Sequence, residues 1–161
     1  VGLKYFNVFG PNEYHKGDMR SLVCKGHAQI KETGALRLFK SYRQEYADGA
    51  QERDFIYVKD AVKATLHFYR ASKRCGIFNV GTGRARNWND LASALFKAMD
   101  VPENIKYVDM PETLRDRYQY HTEANVGKLR QAGFDGEFTS LEDAVTDYVK
   151  RYLSWGSHLE P

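Results

Sequence analysis

Short apolar runs alternate with helical patterns along the 161 residues, which predicts an α/β fold. Two further observations agree with it. The strand-like runs end at glycine, proline and asparagine turn signals. The length suits one domain, since domains span about 100–200 residues.

The first run, Leu3-Lys4-Tyr5-Phe6-Asn7-Val8-Phe9, reads as a short buried strand that stops at Gly10-Pro11-Asn12. A helix is expected from Asp18 to Lys31, with Leu22, Val23, His27 and Ile30 on one face and Gly34 as its stop. Ala35 to Phe39 is a second strand. The polar stretch from Ser41 to Glu52 contains Asp48-Gly49, a dipeptide that favours a two-residue hairpin turn. Phe55 to Val58 is extended, and a helix runs on through Val62, Leu66 and Tyr69. Asp60 is placed to cap it. Ile77 to Val80 is a strand broken by Gly81-Thr82-Gly83. Asn87 opens the next helix with Asp90 three residues on, close to a capping box, and its seam is Leu91, Ala94, Leu95 and Ala98. Ile105 to Val108 is a short strand. Thr122 is expected to cap a helix ending at Gly133. Ser140 caps the last helix, with Leu141, Val145, Tyr148 and Tyr152 along its apolar side.

With 42% hydrophobic and 14% aromatic residues the chain can bury a core, and disorder is not expected. The net charge is only +3, with both signs interleaved. A nucleic-acid partner is not expected, because such proteins concentrate their basic residues in a stripe. No apolar run approaches the ~18 residues of a membrane span, so no membrane partner is expected either. Cys24 and Cys75 stand far apart, which fits a reducing cytoplasm. The five histidines have no ligand spacing, and no metal site is expected. The first residue is Val rather than Met, so the chain is expected to be a segment of something longer.

Three segments carry possible chemistry. Gly81-Thr82-Gly83 looks like the start of a dinucleotide fingerprint, but Arg86 stands where the third glycine belongs. It reads as either a tight structural turn or a phosphate contact. His15-Lys16-Gly17 follows a strand end, where open α/β sheets place their ligands. Lys16 there can bind phosphate, serve as a base, or be a solvated loop lysine. Arg53 at a strand start can grip a phosphate in a bidentate fork, or pair with Asp54 at the surface. Arg115-Asp116-Arg117-Tyr118 is likewise a nucleotide contact or a charged turn.

Taken together, Leu3 to Pro11, Arg53-Asp54-Phe55-Ile56-Tyr57-Val58-Lys59-Asp60-Ala61 and Phe78-Asn79-Val80-Gly81-Thr82-Gly83 resemble hallmarks of the extended short-chain dehydrogenases/reductases. Gly10-Pro11-x-Glu13-x-His15-Lys16-Gly17-x-Met19, Arg117-Tyr118-Gln119 and Leu129-Arg130-x-Ala132-Gly133-Phe134 narrow the resemblance to the ADP-L-glycero-D-manno-heptose 6-epimerase family. The resemblance covers essentially the whole chain and implies the C-terminal, substrate-binding half of such an enzyme. The implied fold is a mixed sheet with the helices of the substrate-binding domain plus trailing Rossmann elements, over residues 1–161. The implied reaction is oxidation and re-reduction at carbon 6 of an ADP-heptose, in lipopolysaccharide core synthesis. The family's glycine-rich cofactor turn and its Tyr-x-x-x-Lys pair, whose tyrosine is one of two acid/base groups, are implied to lie outside this segment. The segment alone is therefore expected to be inactive.

By the same resemblance Lys16 is the second catalytic group. Val8 and Lys16 meet the cofactor, NADP or NAD, which is held mainly by the other half. Asn7, Asp18, Lys25, Phe39, Lys40, Ser41, Arg53 and Tyr118 meet the ADP-heptose. The implied protein partners are its own N-terminal Rossmann half and, at full length, further copies in a homo-oligomer. Asp18 stands where the family has serine and Lys25 where it has histidine. Lys40-Ser41-Tyr42 replaces a smaller, more acidic segment. Two other readings stay open: another nucleotide-sugar epimerase or dehydratase of that superfamily, and a nucleotide-binding module without chemistry.

Overall fold

The structure, a computed structural model, describes residues 1–70 and 75–160. Strands β1 (Gly2–Tyr5) and β2 (Asn7–Phe9) follow one another with a break at Phe6. A 3-10 segment (Tyr14–Met19) leads into helix α1 (Leu22–Thr33) and strand β3 (Leu36–Phe39). Strands β4 (Glu52–Arg53) and β5 (Phe55–Tyr57) run directly into helix α2 (Val58–Arg70). Then come β6 (Ile77–Val80), β7 (Arg86–Asn87), α3 (Trp88–Met99) and β8 (Ile105–Val108). Short helices α4 (Glu112–Arg115) and α5 (Gly127–Gln131) precede α6 (Leu141–Tyr148), which widens into a π-helical turn over Val149–Leu153.

The α/β class holds, but the expected mixed sheet is divided into two-stranded pieces. β1 pairs with β6, β2 with β5 and β3 with β8, all parallel, while β4 and β7 are antiparallel. The run Leu3–Phe9 is thus two strands with different partners, and only Phe9 in it is fully buried.

Two apolar cores flank β5. Phe55 and Tyr57 point into one, with Val23 and Ile30 of α1, Leu36 and Leu38 of β3, and the inner faces of α3 and α6. Ile56 points into the other, against Ala61, Ala64 and Phe68 of α2, Phe78 and Val80 of β6, and Leu129 of α5. The alternation is the pleat of a strand buried on both faces.

Helix ends show where local chemistry decided the structure. Ser21 caps α1 by accepting from the Cys24 N–H, and Gly34 ends it in the left-handed conformation at φ 69°. Asn87 and Asp90 form the full capping box of α3. Ser140 caps α6 through the Asp143 N–H.

Five expectations differ from the structure. The first helix starts at Leu22 rather than Asp18, because Arg20 (φ −60°, ψ 150°) and the cap Ser21 (φ −60°, ψ 160°) are extended. Asp48-Gly49 makes no hairpin, since the strands on either side pair elsewhere. Instead Asp48 Oδ1 accepts from the Ser41 N–H at 2.7 Å and the Gly49 N–H reaches the Phe39 carbonyl. Thr122 caps nothing; α5 begins at Gly127, whose N–H is received by Asn125 Oδ1. Asp60 lies inside the first turn of α2, buried, accepting from the Thr139 N–H and from Lys63 Nζ. In α2, moreover, Val62, Leu66 and Tyr69 form the exposed face, and Ala61, Ala64 and Phe68 are the residues that pack inward.

Candidate functional site

A cavity of about 390 Å³ opens where β2, β3, β5 and the start of α1 converge. Its floor is apolar: Phe9, Leu38, Phe55 and Leu91 are buried core residues that also line it. Asn7 and Val8 reach it from β2, Phe39 from the end of β3, and Met19, Ser21 and Lys25 from the segment around the α1 start. Strand ends are where open α/β folds leave room for ligands, because the chain must turn away there.

One wall is aromatic. Tyr118 meets Phe39 edge-on at 6.4 Å between ring centroids. The Trp88 indole N–H donates to the Tyr118 hydroxyl at 3.0 Å, which fixes both rings. Phe55 stacks edge-on against Trp88 at 5.0 Å. Arg53 lies behind this wall, 8% exposed, its guanidinium 5.1 Å from the centre of the Tyr118 ring and 5.9 Å from that of Trp88. Its Nη1 donates to the Glu52 carbonyl at 2.7 Å. Among the described residues it forms no ion pair with a carboxylate. Burial pulls the Arg53 pKa down and pushes that of the Tyr118 hydroxyl up. A buried guanidinium left without a carboxylate is costly, and here two aromatic faces and the Glu52 carbonyl are its partners.

The structure brings Asn7, Val8, Lys25, Phe39 and Tyr118 together around one cavity, with Arg53 against its aromatic wall. Lys16, Asp18, Lys40 and Ser41 stand outside that lining. Lys16 and Asp18 are exposed on the 3-10 segment that ends at Met19. The Asp18 carbonyl accepts from Lys25 Nζ at 2.9 Å, so these two positions meet through the backbone and not as an ion pair. Lys40 Nζ reaches the Asp109 carboxylate at 3.1 Å at the surface, and Ser41 is held by Asp48. Sequence reasoning missed Trp88, which looks like the first core residue of a helix. Its signal was the indole N–H, which needs an acceptor when partly buried.

The motif residues outside the cavity have structural roles. Asp54 is fully buried and does not pair with Arg53. Its carboxylate accepts from the N–H and hydroxyl of Thr82, both at 2.7 Å, from the Gly83 N–H at 2.9 Å and from the Ala124 N–H at 3.0 Å. The Gly81-Thr82-Gly83 turn is therefore closed by the protein's own anion. It does not fit a cofactor pyrophosphate. Arg86, in the place of a third glycine, bridges Asp90 at 2.9 Å and Glu142 at 2.7 Å. Arg115 donates to the Met110 carbonyl and stacks over Tyr42. A Tyr-x-x-x-Lys spacing does occur, at Tyr69 and Lys73. Tyr69 lies in the last turn of α2, 84% exposed and away from the cavity lining, and Lys73 lies outside the described residues. Among the described residues no group of three or more His, Cys, Asp or Glu can hold a metal ion, and no helix is long and apolar enough to cross a membrane.

Over 154 residues the chain is 59% identical to the ADP-L-glycero-D-manno-heptose-6-epimerase of Nitratidesulfovibrio vulgaris, with 96% of this chain and 48% of that protein covered. It is 48% identical over 159 residues to the enzyme of the same name from Fusobacterium nucleatum, covering 95% of this chain and 48% of that one. The chain thus spans about half the length of the curated relatives it matches. The crystal structure of the Helicobacter pylori ADP-L-glycero-D-manno-heptose-6-epimerase superposes with a TM-score of 0.78 at 27% identity, over 94% of this chain and 43% of that one. Residues 1–81, which carry β1 through β6, match the model of a single family. By that match the chain belongs to the NAD dependent epimerase/dehydratase family.

Proposed function

We propose that these 161 residues are the C-terminal, substrate-binding half of an ADP-heptose 6-epimerase. The observation that carries the reading is Arg53, a buried cation without a carboxylate partner behind an aromatic wall, which suits a nucleoside diphosphate. The names and identities of the two curated relatives support the sugar. In this reading Phe39, Trp88 and Tyr118 hold the base, Arg53 neutralises the pyrophosphate, and Asn7, Asp18, Lys25, Lys40 and Ser41 contact the rest of the substrate.

The NAD dependent family to which the chain belongs supports a nicotinamide cofactor, NADP or NAD. When bound, that cofactor supplies hydride acceptance and return. Val8, half-buried in the middle of β2 on the cavity wall, fits a flat apolar ring. With the Gly81–Gly83 turn closed by Asp54, the cofactor pyrophosphate is held by a separate Rossmann half, which this chain accompanies in a cytoplasmic homo-oligomer. Inverting a centre needs proton transfer on two faces. Lys16 Nζ holds or moves the proton on one, and a tyrosine of the other half serves the second.

The test is to supply the full-length protein with ADP-D-glycero-D-manno-heptose and follow the sugar protons by NMR. Conversion at carbon 6, lost in Lys16→Met with nucleotide binding retained, is expected. Absence of conversion by the unmodified enzyme overturns the reading.

A further inference from the structure

Glu13 is the one acidic side chain buried in the loop that carries Lys16, at 4% exposure. Three donors converge on its carboxylate. The Ser21 N–H gives 2.6 Å to Oε2, the Ser21 hydroxyl gives 2.6 Å to Oε1, and the Tyr148 hydroxyl gives 3.0 Å to Oε1. At the same residue the backbone carbonyl accepts from the Lys16 N–H at 3.0 Å. Glu13 therefore joins both ends of the segment 14–20. Its main chain holds Lys16, and its side chain holds Ser21, the cap of α1.

Two contacts tie the rest of that segment outward: the Tyr14 hydroxyl donates to the Ser157 carbonyl at 3.1 Å, and the Asp18 carbonyl accepts from Lys25 Nζ at 2.9 Å. Arg20 Nε and N–H both donate to the Gly17 carbonyl, which only folds the segment on itself. None of its residues from Tyr14 to Met19 is fully buried. The two ends of the loop that carries Lys16 are thus closed by Glu13, Ser21 and Tyr148 of α6, with Tyr14 and Lys25 as the contacts between them.

We propose that Glu13 is the positioning residue for Lys16: an acceptor, not an acid or base, that orients the loop so that the ammonium group faces the reacting carbon of the sugar. The proposal rests on the reading of Lys16 as a proton-transfer group. A carboxylate suits the task because it only accepts, and here it faces three donors. Glutamine keeps the volume but can meet the Ser21 N–H only with its oxygen, so its NH₂ falls on the Ser21 and Tyr148 hydroxyls, which must turn from donors into acceptors.

In the full-length enzyme, Glu13→Gln should lower kcat at least tenfold while KM for the ADP-heptose moves less than twofold. Tyr148→Phe, which removes one of the three donors, should lower kcat about two- to fivefold, again with KM held. This split separates positioning from loss of fold, which lowers the active fraction and the thermal midpoint together. If Glu13→Gln does not fold, Tyr148→Phe decides, and unchanged kcat in it overturns the proposal. Lys16→Met is the control. If it loses turnover while Glu13→Gln keeps it, the positioning role is wrong and the reading of Lys16 stands. If Lys16→Met keeps turnover, that reading falls and the positioning role falls with it.

Discussion

The Asp54 carboxylate receives both polar hydrogens of Thr82, the backbone N–H and the side-chain hydroxyl, each at 2.7 Å. The same carboxylate takes the N–H groups of Gly83 and Ala124. A turn that resembles a phosphate-binding loop in sequence is in fact the socket of a buried aspartate. Gly81 is needed there because a Cβ would collide with Ala124 and with Asp54 itself.

Removing that anion should be among the most destabilising single changes in the chain. Asp54→Ala leaves three N–H groups, that of Ala124 buried and those of Thr82 and Gly83 part-buried, and a hydroxyl without this acceptor, and a loss of about 3–5 kcal/mol is expected. Asp54→Asn keeps one oxygen and should cost about 2–3 kcal/mol. Urea unfolding of the full-length protein measures both. Equal losses would mean that the charge rather than the shape holds the turn, since asparagine keeps the shape.

How much of this was legible follows from the range of each interaction. The Asn87–Asp90 capping box is closed within three residues, so the pattern sufficed to find it. The end of α1 at Gly34 was local in the same way. The Asp54 socket joins residues 28 and 70 positions apart, and no spacing rule reaches that far. The stripe Val62, Leu66, Tyr69 has good helical period but lies opposite the face that packs on β6. Periodicity identifies a helix without saying which side the rest of the chain will cover. In the candidate site, Arg53 and Tyr118 could be named from their motifs. That they meet, and that Trp88 locks them, depended on the antiparallel contact of β4 with β7, which places Trp88 two residues past the partner of Arg53.

The aromatic corner yields a binding prediction. Arg53→Lys keeps the charge but loses the planar fork and its stacking on Tyr118. Affinity for ADP should fall about tenfold or more, near 1.4 kcal/mol. Trp88→Phe keeps a ring but frees the Tyr118 hydroxyl, and a smaller loss, about two- to fivefold, is expected by the same titration. An unchanged dissociation constant in Arg53→Lys would remove the pyrophosphate from this corner.

Acid sensitivity should be traceable to Asp147. Burial works to raise its pKa, but hydrogen bonds from Lys59 and Tyr57 and the charges of Lys59 and Arg151 outweigh it, and the net shift is downward from 3.8. A carboxyl held below its unfolded value contributes stability above that value and loses it as pH falls through the folded pKa. The contribution should therefore be complete near neutral pH and fade below about pH 4. Asp147→Asn should cost about 1–2 kcal/mol at pH 7 and flatten the stability curve below pH 4. Thermal midpoints of both proteins between pH 7 and pH 3 give the comparison. Parallel curves would assign the acid limb to other carboxylates.

Asn12 ties the C-terminal segment to the loop ahead of Lys16. Its side chain donates to the Leu159 carbonyl at 3.0 Å and accepts from the Leu159 N–H at 2.9 Å, and its backbone sits at φ 70°. Next to it Tyr14 donates to the Ser157 carbonyl and meets the His158 ring edge-on. Two substitutions separate the tether from the backbone conformation. Asn12→Gly tolerates positive φ but cannot hold Leu159, so faster hydrogen exchange at the Leu159 amide is expected with a stability loss of about 1 kcal/mol. Asn12→Ala loses the same tether and keeps a Cβ in the left-handed region without the amide side chain that favours it there, so it should be about 1 kcal/mol less stable than the glycine variant. If the two variants unfold at the same denaturant concentration, the positive φ is relieved elsewhere in Gly10-Pro11-Asn12. If only the alanine variant releases Leu159, the tether depends on the turn geometry rather than on the amide group.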